Sequence, residues 1–204
     1  MLHLRTHHYL LLTGAIVAAA AGTLFFMGQI PMCKCGYVKL WHGVVASSEN
    51  SQHVADWYTF SHVIHGFAFY GLLWLVGRRP SARSGRRELV VRRWPLGLRL
   101  VVAMFLEASW EIFENTDFTI NRYRSVTISL DYYGDSVLNS ACDMLAMALG
   151  FFVAARLPVW GTLALVVALE AFVAYWIRDN LALNIIMLIY PLDAIHAWQM
   201  GGVP

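Results

Sequence analysis

The sequence predicts an all-α fold: a polytopic membrane helix bundle of about five or six transmembrane helices, forming one integral domain over residues 1–204. Three observations carry that prediction. Hydrophobic residues make up 58% of the chain and charged residues only 14%, whereas soluble domains carry about a quarter charged residues. Mean hydropathy is +0.53. Aromatics reach 14% with eight Trp, as the interfacial belts of a membrane protein require. The net charge of +2 gives no support to a nucleic-acid partner. The partner expected from this composition is the lipid bilayer.

The elements follow in order. Residues 9–30 contain no charged residue and are long enough to cross the hydrocarbon core. Arg5 before them and the alanines at 18–21 have the look of a signal peptide. The apolar run continues through residues 24–27, however, so an uncleaved first helix is expected. Further helices are expected over about 57–76, 100–115, 136–157 and 160–177. A last segment over about 181–198 is interrupted by Pro191 and reads as either a kinked span or a partial one. Glu107, Glu111 and Glu114 depress the third helix, and Pro191, Asp193 and His196 the last.

Orientation comes from the arginines. Arg78, Arg79, Arg83, Arg86, Arg87, Arg92, Arg93 and Arg99 place eight of the fifteen basic residues between the second and third helices. The positive-inside rule puts that loop in the cytoplasm and the protein in an inner membrane. By alternation the N-terminus and the Arg156 turn are also inside. Residues 31–56, 116–135 and 178–180 are then outer loops, and Asp193 and His196 fall near the inner half.

Cys33 and Cys35 flank Lys34, and Cys142 lies in a later apolar run. This count and spacing do not predict a disulfide framework. The CxC pair leaves a redox or metal role open.

The ionisable residues are the informative feature. Tyr58, His62 and His65 share one helix face, and the histidines lie about 8 and 12 Å below the outer end. Glu107, Glu111 and Glu114 form one acidic stripe, about 15 to 5 Å below the same end. Asp135, Asn139 and Asp143 share a face of the fourth helix, and Glu170 on the fifth lies about 12 Å from Arg178. Buried carboxylates together require compensation by protons, arginines, histidines, metal or water. His62, His65, Glu111 and Asp143 match the ligand types of a divalent metal ion. Arg122 and Arg124 offer guanidiniums able to grip phosphate or carboxylate, or else to pair with Glu114 and Asp117.

Several stretches together carry a resemblance. They are CGYVKLWHG at 35–43, SENSQH at 48–53, DWYTFSH at 56–62 with His65-Gly66, and EASWE at 107–111 with Glu114-Asn115-Thr116. RYR at 122–124, GDS at 134–136 with Asn139-Ser140 and Asp143, and NIIMLIYP at 184–191 complete the set. From about residue 31 onward the chain resembles a family of small multi-pass bacterial membrane proteins of unknown function, found mainly in alphaproteobacteria. That resemblance implies a membrane location and no activity. The order of His, Glu and Asp helices is also loosely similar to VanZ-like membrane proteins.

Two functions fit. In the first, His62, His65, Glu107, Glu111, Glu114 and Asp143 are catalytic or metal-binding groups of a hydrolase or transferase. Arg122, Arg124, Asp135 and Asn139 then hold a lipid or envelope substrate. In the second, the protein is a non-catalytic carrier or accessory subunit whose carboxylates handle protons or cations.

Overall fold

The computed structural model of the chain describes residues 5–82 and 89–201; Arg83, Arg86 and Arg87 of the basic loop lie outside the described residues. Eight helices are described: α1 (Thr6–Phe26), α2 (Thr59–Val76), α3 (Leu96–Glu114), α4 (Asp117–Val126), α5 (Val137–Arg156), α6 (Val159–Ile177), α7 (Leu181–Ile189) and α8 (Asp193–Met200). The expected helical membrane bundle is therefore present. The basic loop adds a feature that sequence patterning missed, an antiparallel ribbon of β1 (Arg78–Ala82) and β2 (Leu89–Arg93), with Arg78 opposite Arg93.

Local chemistry sets the boundaries. Pro95 and Pro158 precede the first turns of α3 and α6. Thr116, Ser136 and Asn180 accept backbone N–H groups of α4, α5 and α7 through their side chains, satisfying donors a helix start leaves unpaired. The Thr116 cap, with Asp117 in the first turn and Arg124 in the last, makes a helix of part of the expected 116–135 loop.

Four helices are long and apolar enough to cross a membrane: α1, α2, α5 and α6. α3 falls short by composition, yet it packs against α1, α2 and α5. The core between them is Ala20, Leu73, Leu100, Ala103, Met104, Ala108, Met144, Met147 and Phe151. α6 stands further out, leaving an apolar groove of about 510 Å³ beside Phe67, Tyr70, Trp74 and Leu163.

Two glycines set the closest crossing. A Cβ on Gly66 of α2 would sit 2.1 Å from the Met147 carbonyl oxygen, and one on Gly150 of α5 2.0 Å from that of Val63. The two backbones touch there, as small residues allow between membrane helices. His62 and Asp143 stand on the same two helices, toward the same end of the bundle.

That end gathers the connections that lead into α2, α5 and α7. Ser136 N–H donates to Ser51 O (3.0 Å), and Val137 N–H to Ile30 O (2.9 Å). Gln52 Nε2 donates to Gly134 O at 2.8 Å. Asp179, fully buried, accepts from the Tyr58 hydroxyl (3.0 Å), the Asn180 N–H (2.9 Å), Asn184 Nδ2 (3.0 Å) and Gln199 Nε2 (2.9 Å). Burial pushes its carboxyl up to about 7, the four donors around it opposing that rise.

This hub decides between the kinked and the partial reading of the last segment in favour of the partial one. Residues 190–192 separate α7 from α8, and α7, at about 13 Å, is too short to span. Gln199 then returns to Asp179, and the Trp198 carbonyl accepts from Arg178 Nη1 at 3.1 Å. Asp193 and His196 thus sit on a hairpin whose far end lies back beside Arg178, not in the opposite half of the bundle. A reporter fused after residue 201 is expected to report the same side of the membrane as one inserted in residues 44–48. Opposite sides would contradict the hairpin.

Candidate functional site: a buried histidine and carboxylate cluster

The cluster assembles where α2, α3 and α5 meet. Glu107, Glu111 and Glu114 succeed one another along α3, the first two no more than 1% exposed. His62 Nδ1 donates to Glu107 Oε1 at 2.6 Å, and His65 Nδ1 donates to Glu107 Oε2 at 3.1 Å. One carboxylate therefore orients both rings. With Nδ1 carrying the proton, the lone pair of each imidazole is at Nε2, and His62 Nε2 faces Asp143 Oδ2 at 3.9 Å. Asp143 Oδ1 accepts from the Thr59 hydroxyl at 2.9 Å.

Glu111 is the anomaly. Its Oε1 lies 3.3 Å from His62 Nδ1, but that proton points at Glu107. Both Glu111 oxygens are buried with no hydrogen-bond partner among the described residues. An uncompensated buried carboxylate costs on the order of several kcal/mol.

The structure divides the expected ligand set. One ligand atom from each of His62, Glu111 and Glu114 falls within 4.8 Å of the others, as does one from each of His62, His65 and Glu107. His65 is drawn to Glu107 and lies edge-on to Trp110, with ring centroids 6.1 Å apart, rather than joining Glu111. Asp143 approaches from α5 through His62.

Above the cluster is a small polar cavity of about 30 Å³, lined by Tyr58, His62, Glu114, Tyr123, Asp135 and Asp143 among others. That is room for a few waters or an ion. Asp135 accepts from Asn115 Nδ2 (2.9 Å) and the Tyr132 hydroxyl (3.2 Å). Burial, reinforced by Glu114 and Asp143, pushes its carboxyl well up. In the other direction, past Glu107, the bundle centre is filled by Ala103, Met104, Met147 and Phe151, none exposed.

The remaining expected site residues have framework contacts. Asn139 Nδ2 donates to His53 O at 2.9 Å. Arg122 Nε donates to Leu188 O at 3.0 Å, tying α4 to α7, and Arg124 Nε donates to Tyr132 O. Neither arginine pairs with Glu114 or Asp117 among the described ion pairs. Glu170 accepts the Leu181 and Ala182 N–H groups (3.2 and 3.0 Å), so it serves the start of α7. Sequence reasoning missed Thr59, Tyr132, Asp179 and the cavity wall at Asn50 and Ser51. Their partners are up to 121 residues away in the chain, and no local pattern reports such pairs.

The segment over residues 37–53 is pinned by Glu49. Its carboxylate accepts from Lys39 Nζ (2.5 Å), the Tyr37 hydroxyl (2.9 Å) and His53 Nε2 (3.2 Å). Lys39, then Tyr37 and His53, hold it down at about 2, from an ordinary 4.5. A depressed carboxylate stabilises the fold above its unfolded value and loses that contribution as pH falls through its folded one. The resistance of this segment to proteolysis, relative to Glu49→Gln, is therefore expected to be full above pH 4.5 and to vanish as pH falls toward 2. A difference independent of pH would contradict the pinning role.

Comparison with known proteins agrees with the resemblance read from the sequence. A UPF0314 protein of Paracoccus denitrificans (strain Pd 1222) is 54% identical over 187 residues, 92% of this chain and 90% of the relative. One from Rhizobium meliloti (strain 1021) is 56% identical, covering 86% and 82%, and one from Sphingopyxis alaskensis 48%, covering 94% and 95%. The looser VanZ-like likeness gains no support from these relatives. No solved structure matches. The family described as "Protein of unknown function (DUF2585)" matches residues 24–201, and the chain belongs to that family.

Proposed function

We propose that this is a membrane-embedded metalloprotein in which His62, Glu111 and Glu114 hold a divalent cation, with Asp143 beside it. It acts as a hydrolase or transferase on a lipid or envelope substrate whose polar head is presented at the mouth of the cavity, where an activated water can reach it. The observation that carries this reading is Glu111: a buried carboxylate without a hydrogen-bond partner among the described residues, with a ligand atom within 4.8 Å of one from His62 and one from Glu114. A divalent ion supplies the missing charge. Glu107 then has the role of an outer carboxylate that fixes the histidine tautomer and ring plane. Such an ion polarises a carbonyl or phosphoryl group and acidifies a bound water.

A carrier would need polar access from both ends, and the apolar filling past Glu107 favours a one-sided site. The arginine-rich loop supports a periplasm-facing cavity in an inner membrane. Elemental analysis of the detergent-purified protein tests the reading. About one equivalent of a divalent metal, lost in a His62→Ala/Glu111→Gln variant, is expected. No retained metal, and none taken up on titration, would sink it.

A further inference from the structure

The segment after α1 carries a second cluster, separate from the intramembrane site. Cys33 and Cys35 are joined in a disulfide, Cys33 buried and Cys35 half-exposed. The chain folds back so that Glu49 and His53 reach them. One ligand atom from each of Cys33, Cys35, Glu49 and His53 lies within 4.8 Å of every other. Residues distant in sequence are brought together here around two sulfurs.

We propose that Cys33, Cys35, His53 and Glu49 form a site for a borderline-soft divalent cation of the zinc class, closed while the sulfurs are bonded and opened by their reduction. The donor set is two thiolates, one imidazole and one carboxylate. This is a tetrahedral set suited to zinc, with bonds of about 2.0–2.3 Å. Such bonds place ligand atoms roughly 3.3–3.8 Å apart, so atoms already within 4.8 Å need only a small closure. Charge also balances. Two thiolates and a carboxylate exceed a divalent ion by one negative charge, and the Lys39 ammonium stands 2.5 Å from Glu49 to neutralise it. A metal between His53 Nε2 and Glu49 Oε2 replaces their 3.2 Å contact. The imidazole then carries its proton on Nδ1, giving up the long 3.3 Å contact with Lys39 N–H.

Opening is a thiol–disulfide exchange with a dithiol. Its thiolate attacks Cys35 Sγ, the accessible sulfur, forming a mixed disulfide. Cys33 Sγ leaves as a thiolate, toward which the Cys35 N–H already points at 3.2 Å. The second thiol of the reductant, as thiolate, attacks its own sulfur in the mixed disulfide. It departs as a cyclic disulfide and releases the Cys35 thiolate. Two electrons pass from the dithiol to the pair, and the two protons the dithiol loses appear on the cysteines until a metal displaces them to solvent. Asn50 and Ser51, which line the polar cavity, lie between Glu49 and His53. Metal occupancy therefore fixes one wall of the intramembrane site.

Cobalt(II) is the probe. The full-length protein in detergent is reduced with a phosphine and titrated with Co²⁺. A near-ultraviolet thiolate-to-cobalt charge-transfer band saturating at about one equivalent is expected. It should be discharged by Zn²⁺, absent without reduction, and retained in Glu111→Gln. His53→Ala should weaken the affinity by an order of magnitude or more. No thiolate band in the reduced wild type would overturn the proposal. So would a band that survives in Cys33→Ser/Cys35→Ser, which would place it at Cys142, the free cysteine. Unchanged affinity in His53→Ala would also overturn the four-ligand site.

Discussion

Glu111→Gln is expected to abolish the thermal stabilisation that added divalent cation gives this protein, while leaving the metal-free protein no less stable than wild type. Both halves follow from one geometry. A ligand at one hundred times its dissociation constant stabilises by about 2.7 kcal/mol, and replacing a ligating carboxylate with a neutral amide removes most of that affinity. Without metal the substitution has the opposite sense. The wild-type carboxylate is buried with no hydrogen-bond partner among the described residues, so without metal its charge is a penalty. The amide carries no charge, and its N–H groups can donate to Glu114 or Asp143. If Glu111 were packing glue between helices, the variant would lose stability with or without metal, and no cation-dependent shift would be seen in either protein. Unfolding followed by tryptophan fluorescence in detergent, with and without Mn²⁺, separates the two cases.

Gly150→Val is expected to destabilise the bundle on the order of 3 kcal/mol or more, because the obstacle is backbone rather than a movable side chain. The new Cβ would sit 2.0 Å from the Val63 carbonyl oxygen. α2 and α5 must separate, and the separation carries His62 and Thr59 away from Asp143. Loss of stability and loss of cation binding should therefore appear together. Gly71→Ala is the control, since a Cβ there meets nothing within 4 Å. Its effect is expected within about 0.5 kcal/mol. Equal tolerance of the two substitutions in the same thermal assay would show that the crossing is not where the structure places it.

Much of this was legible in the sequence, for identifiable reasons. The apolar helices were visible because crossing a bilayer demands about 20 apolar residues in a row. The acidic stripe of α3 and the His62/His65 face were visible because helical periodicity fixes which side chains share a side. What periodicity does not report is azimuth between helices. It gave no reason to expect that Glu107 would hold both histidines, that His65 would be drawn away from Glu111, or that Glu170 would serve the start of α7. The same blindness hid the Asp179 hub, whose Tyr58 partner lies 121 residues away. The last segment was legible only as two alternatives, a kinked span or a partial one. Pro191 signals a break but not the direction taken after it, and Gln199, one uncharged side chain, decides that α8 turns back. Arg122 and Arg124 suggested anion binding by their chemistry, and the fold gives their Nε groups to backbone carbonyls.

The proposed function requires a divalent cation between α2 and α3 at His62, Glu111 and Glu114. Anomalous X-ray scattering from crystals of the oxidised, Mn²⁺-loaded protein tests it most directly. Manganese favours nitrogen and oxygen ligands over sulfur, and the intact Cys33–Cys35 disulfide keeps the outer cluster closed. One strong anomalous peak is expected within bonding distance of a His62 ring nitrogen and carboxylate oxygens of Glu111 and Glu114. A peak only elsewhere, or no peak with Glu111 still unpartnered at saturating Mn²⁺, would contradict it.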